Sequence, residues 1–358
     1  MLRSAVDGPT GDNMSSHAAA GFPHLWTREG FAGPASVVTR RNYAPDYISV
    51  AGVHAPRRLV LEQLVPLDRD TADALPSVIA TSKLGVRLLT SARKTPMPFT
   101  VRNAEADELH FIQSGQVRFD TEVGSLLAEE GDFVCIPRSV AYRYAPTQGS
   151  MRSVILEYPS AATLTPPAPF GMINYARDVH PAKIDPEVDA GGPGKLVLKT
   201  ADDEVTTYVV PHDPLALGRQ LSACVPVWKL NLKNIQLHAY EPNGGPPSMF
   251  LSTRGGESLM FNLSSRSGGR PPVHVNADFD ELILYVGGPG AYGACTEPGT
   301  LAWVPKGVIH HGPNEAVPQG YQAWLLETRA TLRFTPEALA VSALMETGNY
   351  GRHPSAGT

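Results

Sequence analysis

Residues 271–288 read PPVHVNADFDELILYVGG, and residues 98–115 read PFTVRNAEADELHFIQSG. Aligned without a gap, the two share the opening proline, Asn-Ala, Asp-Glu-Leu and the closing glycine. The acidic residue after Asn-Ala is matched as well, Glu105 by Asp278. Downstream, residues 131–142 (GDFVCIPRSVAY) pair with residues 299–310 (GTLAWVPKGVIH) in glycine, proline and apolar pattern. The shift is 173 residues for the first pair (98 to 271) and 168 for the second (131 to 299), a difference of a few loop residues. Chance can give one such match; two in the same order mark an internal duplication. A period this long means duplicated domains, not a solenoid.

The rest of the chain fits two β-rich halves. Its 358 residues suffice for two ordinary domains, and 42% hydrophobic residues supply a sizeable core. Gly and Pro at 33 each suit many short strands joined by turns. Stretches such as RLVLEQLVPL, VWKLNLKNIQLHAY and QAWLLETRATLRF dominate. Helical spacing is confined to DRDTADALPSVIAT (68–81), interrupted by Pro76, and TPEALAVSALMETG (335–348), with Thr335 as cap, Pro336 in the first turn and Gly348 as stop. The expected division is a tail over 1–20, an N-terminal barrel with extra strands over 21–163, a linker with connecting strands over 164–225, a C-terminal barrel over 226–335, and a C-terminal helix and tail over 336–358. The proline-rich LTPPAPFG (164–171) marks the join.

A net charge of -5 gives no case for a nucleic-acid partner. No apolar run approaches the roughly 18 residues of a membrane span, so no membrane association is expected. The three cysteines, Cys135, Cys224 and Cys295, are odd in number and far apart. They form neither a disulfide framework nor a zinc knuckle, and a reducing cytoplasm is the expected compartment.

The chemistry lies where the copies differ. His274 stands opposite Val101, and His310 opposite Tyr142, while the carboxylate is kept as Glu281 and Glu108. Two imidazoles and a carboxylate in one copy alone suggest one metal site and one structural barrel, with Glu108 and Tyr142 as structural fillers. The adjacent pair His310-His311 leaves an ambiguity, because neighbours on a strand point to opposite faces. Counting from Pro305, Gly307 and the duplicate's Tyr142 favours His310, and the alternative of His311 stays open. The bland reading of these residues is ordinary polar side chains on barrel strands. Asp280 is expected to face away from the site. Tyr285 is expected to pack, and GPGAYG (288–293) to be a loop, since it lacks the strand–turn–helix context of a dinucleotide site.

The second copy resembles a cupin. His274, Asn276, Glu281 and Gly288 fit the first cupin motif, with Asn276 replacing its second histidine. Gly299, Pro305, Gly307, His310 and Asn314 fit the second motif throughout. More narrowly, the chain is similar to the homogentisate 1,2-dioxygenase family over roughly residues 22–345. The residues that carry this are NAEADELHFIQSGQVRFDTEVG in the first copy, with RPPVHVNADFDE and HGPN in the second. The family spaces its first His and Glu by six residues, whereas His274 and Glu281 are seven apart.

The resemblance implies a mostly-β bicupin of two double-stranded β-helix (jelly-roll) barrels, only the C-terminal one metal-binding. It implies Fe(II) held by His274, Glu281 and His310, a donor set with open positions for substrate and oxygen. It implies ring cleavage of a homogentisate-like hydroquinone or other phenolic aromatic acid by O2. Homo-oligomers, trimers or hexamers, belong to the same implication. His311, His238 and Glu241 are the candidate acid/base groups, the latter two from HAYEPNGGPPS (238–248), and Tyr292 is a candidate substrate contact. The alternatives are another metal-dependent cupin enzyme, an isomerase or decarboxylase, or a non-catalytic cupin that binds a small molecule.

Overall fold

The computed structural model describes residues 21–345 except 31–32, 44, 46, 165–172, 186–187, 189–190, 201, 217–226, 237–246, 267–272, 289–296 and 311–316. The chain is mostly β and builds two barrels, each from a pair of sheets. An eight-stranded and a six-stranded sheet make the first; an eight-stranded and a four-stranded sheet make the second.

The duplicated segments occupy equivalent places. Strands Asp107–Ser114 and Asp280–Gly287 are central in the two large sheets. Both are buried on both faces over most of their length, which is why their sequences read as nearly unbroken apolar runs. Alternation sorts their side chains. Leu109 and Phe111 from one strand, with Leu282 and Leu284 from the other, enter a core shared by the two large sheets. Phe111 packs on Trp324 with ring centroids 5.8 Å apart, and Phe133 on Phe250 at 5.2 Å, so this core joins the two barrels. Ile112 turns instead into the first barrel's interior, and Ile283 and Tyr285 into the second's. Tyr285 stacks on Tyr321 at 5.4 Å, the packing role expected of it.

The sheets do not follow the sequential division. The hairpin Phe22–Thr27 and Ala35–Arg40 joins the second barrel, where Leu25 and Thr27 pair in parallel with His274 and Asn276. Strand Arg57–Val60 pairs with Thr300–Val304 of that barrel too. In the first barrel the equivalent hairpin is Gly194–Lys199 with Val205–Val210, and it pairs in parallel with Thr100–Asn103. Each barrel thus borrows the hairpin that precedes the other barrel's duplicated core.

Residues 68–81 are not helical: a 3-10 turn at Leu67–Arg69 leads to strand Ser77–Thr81, because SVIAT is β-branched and pairs with Arg87–Ser91. The last helix starts as expected, with Thr335 Oγ1 accepting from Ala338 N at 3.3 Å. It covers only Pro336–Ala340, since Ser342–Leu344 is taken by an edge of the large sheet. Among the described residues no helix is long and apolar enough to cross a membrane. Cys135 is buried and reduced.

One clasp is repeated in both barrels. Asp107 accepts from Arg138 N at 2.8 Å and Ala162 N at 2.9 Å. Its counterpart Asp280 accepts from Lys306 N at 3.1 Å, Leu332 N at 2.9 Å and Trp303 Nε1 at 3.1 Å. Asp280 points away from the barrel interior, as expected, but it is wholly buried rather than solvent-facing. Burial raises its carboxyl above the usual range, and the donors and Lys306 partly offset this. Removing the acceptor strands three donors, each worth about 1–3 kcal/mol when left unsatisfied. Asp280→Ala is therefore expected to lower the unfolding free energy by roughly 3 kcal/mol at unchanged slope in urea. A loss below about 1 kcal/mol would show the clasp to be dispensable.

Candidate metal centre

Strand His274–Asn276 runs antiparallel to Ile309–His310, with His274 directly opposite His310. The imidazole centroids lie 4.2 Å apart. Glu281 reaches them from the first barrel-facing position of its strand. Its Oε1 is 3.4 Å from His274 Nε2 and 3.2 Å from His310 Nε2. All three side chains are buried, and their ligand atoms lie within 4.8 Å of one another. The chain reaches His310 through a left-handed turn at Gly307 (φ 82), where the first barrel has Ser139 (φ 66).

The donor set fits a divalent ion. Metal–donor bonds of about 2.1 Å at right angles place donors about 3.0 Å apart, close to the separations here. His310 Nδ1 lies 3.0 Å from Val308 O and donates to it. That contact turns Nε2 toward the Glu281 carboxylate. A neutral His310 would then face an anion with a lone pair, so a cation must lie between them, whether proton or metal. Burial lowers the affinity of His310 for a proton, but the Glu281 charge outweighs it and raises the group. Burial likewise raises Glu281, and the His310 and His274 imidazoles outweigh that and hold the carboxyl well below its usual range. The site is built to keep positive charge beside Glu281.

Two further residues join the cluster, Asn276, which the sequence marks only as a motif replacement, and Glu327, which it does not mark. Asn276, the replacement for the second motif histidine, donates through Nδ2 to Glu281 Oε1 at 3.3 Å and to Glu327 Oε1 at 2.9 Å. Glu327 is fully buried and directly opposite Glu281 on the neighbouring strand. A third duplicated pair, VILEY (154–158) against WLLET (324–328), carries the signal, because it aligns Glu157 with Glu327. The borrowed hairpin closes over this cluster. Gly30 (φ 56) comes so near Glu327 that an added Cβ would lie 2.0 Å from its Oε2.

The structure thus brings together His274, Glu281 and His310. His311, His238, Glu241 and Tyr292 lie outside the described residues, as does Asn314.

No family model matches the chain. It is 27% identical to the homogentisate 1,2-dioxygenase of Bradyrhizobium diazoefficiens over 289 residues, 68% of this chain and 60% of that protein. It is 24% identical over 209 residues to a protein of Saccharolobus solfataricus named as a dioxygenase, 52% of this chain and 51% of that one. The chain therefore spans between half and two thirds of these relatives' lengths. Among solved structures, a cupin 2 conserved barrel domain protein from Leptotrichia buccalis aligns with TM-score 0.37 and 12% identity, covering 80% of this chain and 99% of that one.

Loss of a direct ligand should exceed the roughly 10–100-fold penalty of losing an outer partner. His274→Ala, Glu281→Gln and His310→Ala are each expected to weaken Mn(II) binding by more than about 100-fold, and Asn276→Ala by about 10–100-fold, in competition with a chelator. Unchanged affinity in His310→Ala would transfer the third ligand's role to His311.

The chain is a mostly-β protein of two jelly-roll barrels, similar to homogentisate 1,2-dioxygenase, with a buried His/Glu/His group able to hold a metal in the second barrel.

Proposed function

We propose that the chain is a non-haem Fe(II)-dependent dioxygenase that opens the ring of a small phenolic aromatic acid of the homogentisate type. The observation that carries this reading is the buried set of two imidazoles and one carboxylate, which would leave positions open for substrate and oxygen on a bound divalent ion. The similarity to a homogentisate 1,2-dioxygenase and to a second dioxygenase-named protein supports it.

Bound iron would supply a Lewis acid for a phenolate and a path for electrons from substrate to O2. The chain's own contributions are separate from that. The opposed strands hold His274 and His310 at fixed spacing, and the Val308 carbonyl fixes the His310 tautomer. Asn276 ties Glu281 to Glu327, so the liganding carboxylate is held by a buried side-chain amide. Phe261, Ile283, Val304 and Leu325 form an apolar cluster on the sheet face that carries Glu281, and would help keep water from a bound ring. Two neutral imidazoles and one carboxylate leave a divalent ion with net positive charge, which favours a substrate bearing a phenolate and a carboxylate. The proton leaving the substrate hydroxyl needs an acceptor, and His311, His238 and Glu241 are the candidates we assign, with Tyr292 as a substrate contact.

The test is O2 consumption by anaerobically Fe(II)-loaded protein against homogentisate, gentisate, protocatechuate and related hydroquinones and catechols. Uptake with one of them is expected, and its loss in His274→Ala with the fold retained. No uptake with any, while one metal per chain stays bound, would overturn ring cleavage and favour a cupin isomerase or decarboxylase.

A further inference from the structure

The two barrels hold the same polar cluster in different surroundings. In the second barrel the cluster is Asn276, Glu281 and Glu327; in the first it is Asn103, Glu108 and Glu157. Each carboxylate pair sits directly opposite across neighbouring strands. Asn103 Nδ2 donates to Glu108 Oε1 at 2.8 Å and to Glu157 Oε1 at 3.2 Å, as Asn276 does to its own pair. Like charges so placed repel, and in a buried setting they need a cation. The first barrel supplies one from its own chain. Lys199 Nζ lies 3.1 Å from Glu108 Oε1 and also binds Glu157 Oε1, while Arg87 Nη1 is 3.2 Å from Glu157 Oε2. Lys199 is itself buried. Burial lowers its proton affinity, but the two carboxylates outweigh that and raise it, so it stays charged.

Lys199 reaches the cluster from the borrowed hairpin. It ends the hairpin strand that pairs in parallel with Thr100–Asn103, in register with Asn103. The residue in register with Asn276 on the second barrel's borrowed hairpin is Thr27. The backbone confirms the equivalence: Ala104 N donates to Lys199 O at 2.9 Å, and Ala277 N to Thr27 O at 2.9 Å. Thr27 is too short to bring a charge, and its Oγ1 reaches only Asn276 Oδ1 at 3.5 Å. Around this position the second barrel has His274 and His310 where the first has Val101 and Tyr142, and Tyr142 bonds Glu108 through its hydroxyl.

We propose that the hairpin residue paired with the cluster asparagine decides which cation a barrel holds: Lys199 puts a permanent ammonium where the second barrel, with Thr27, takes a divalent ion from solution. The first barrel is then closed to metal by its own side chain. This rests on the metal reading of the second barrel for one arm of the test only.

The test exchanges the two residues and counts bound Mn(II) by electron paramagnetic resonance and elemental analysis. Thr27→Lys is expected to keep the fold by circular dichroism and to lose Mn(II) binding at least a hundredfold relative to the unaltered protein. Lys199→Thr is made in a His274→Ala background, where the second barrel no longer binds. It is expected to gain about one Mn(II) per chain, with a rise in melting temperature on adding Mn(II), and to lose both on further Glu108→Gln substitution. Folding of Lys199→Thr only in the presence of Mn(II) would support the same conclusion. No Mn(II) uptake by it, failure to fold with or without Mn(II), or full Mn(II) binding by folded Thr27→Lys would each overturn the proposal. An unaltered protein that binds no Mn(II) would instead sink the metal reading of the second barrel, and the Lys199 arm would still decide this one.

Discussion

Two carboxylates directly opposite one another on neighbouring strands have Cβ atoms about 5 Å apart, and burying both as anions demands positive charge beside them. This constraint appears twice, at Glu108 with Glu157 and at Glu281 with Glu327. In the first barrel Lys199 and Arg87 answer it. In the second, two imidazoles converge on Glu281 Oε1. A pair of acids that would be a liability in any apolar core becomes, with imidazoles in reach, a place able to hold a cation. Much of the site follows from that one requirement: the asparagine bridging both carboxylates, the tautomer fixed by Val308, and the hairpin that covers the cluster.

The remainder of the fold holds these pairs in register. The large sheets face each other through Phe111, Phe133, Phe250 and Trp324, so each is buried on both sides. Truncating one such aromatic typically costs about 3–5 kcal/mol, which makes this shared core the dominant tie between the barrels. A one-residue slip of strand Asp280–Gly287 would exchange Asp280 for Glu281, sending the clasp into the barrel and the Glu281 carboxylate into the apolar core. Asp280 with its three donors and Leu282 and Leu284 in the shared core oppose that slip together. Adjacent acidic residues with opposite duties are thus separated by strand alternation alone.

The duplication made the barrels and the His274, Glu281, His310 set legible, because each falls in a matched motif where the two histidines differ between the copies and the carboxylate is kept. Glu327 and Lys199 were not visible for a different reason. Glu327 lies in a stretch that shares only a leucine and the glutamate with its counterpart. Lys199 reaches its cluster through a parallel pairing of distant segments, and Thr27 meets Asn276 across 249 positions. Such contacts leave no periodic trace, since pairing partners are chosen by tertiary packing. The same cause hid the borrowed hairpins and cut the last helix short, where Ser342–Leu344 pairs with Arg57–Val60. Residues 68–81 misled because their apolar spacing suits a helix until the β-branched SVIAT finds a partner strand.

Retaining an ionic cluster in the first barrel is costly compared with filling it with apolar side chains, since buried ion pairs are often matched or bettered by hydrophobic packing. A polar cluster differs from an apolar one in what it specifies. The hairpin Gly194–Lys199 with Val205–Val210 is largely exposed, and its outer strand has little burial to fix it. It meets the barrel through four residues of parallel pairing. Shifting that pairing by one residue would turn Lys199 outward and leave Glu108, Glu157 and Asn103 without the ammonium. The exposed strand Val205–Val210 would tolerate such a slip; a buried carboxylate pair does not. Lys199 therefore fixes the register of its hairpin, as the cluster of Asn276, Glu281 and Glu327 fixes the parallel pairing of Thr27 with Asn276 in the second barrel.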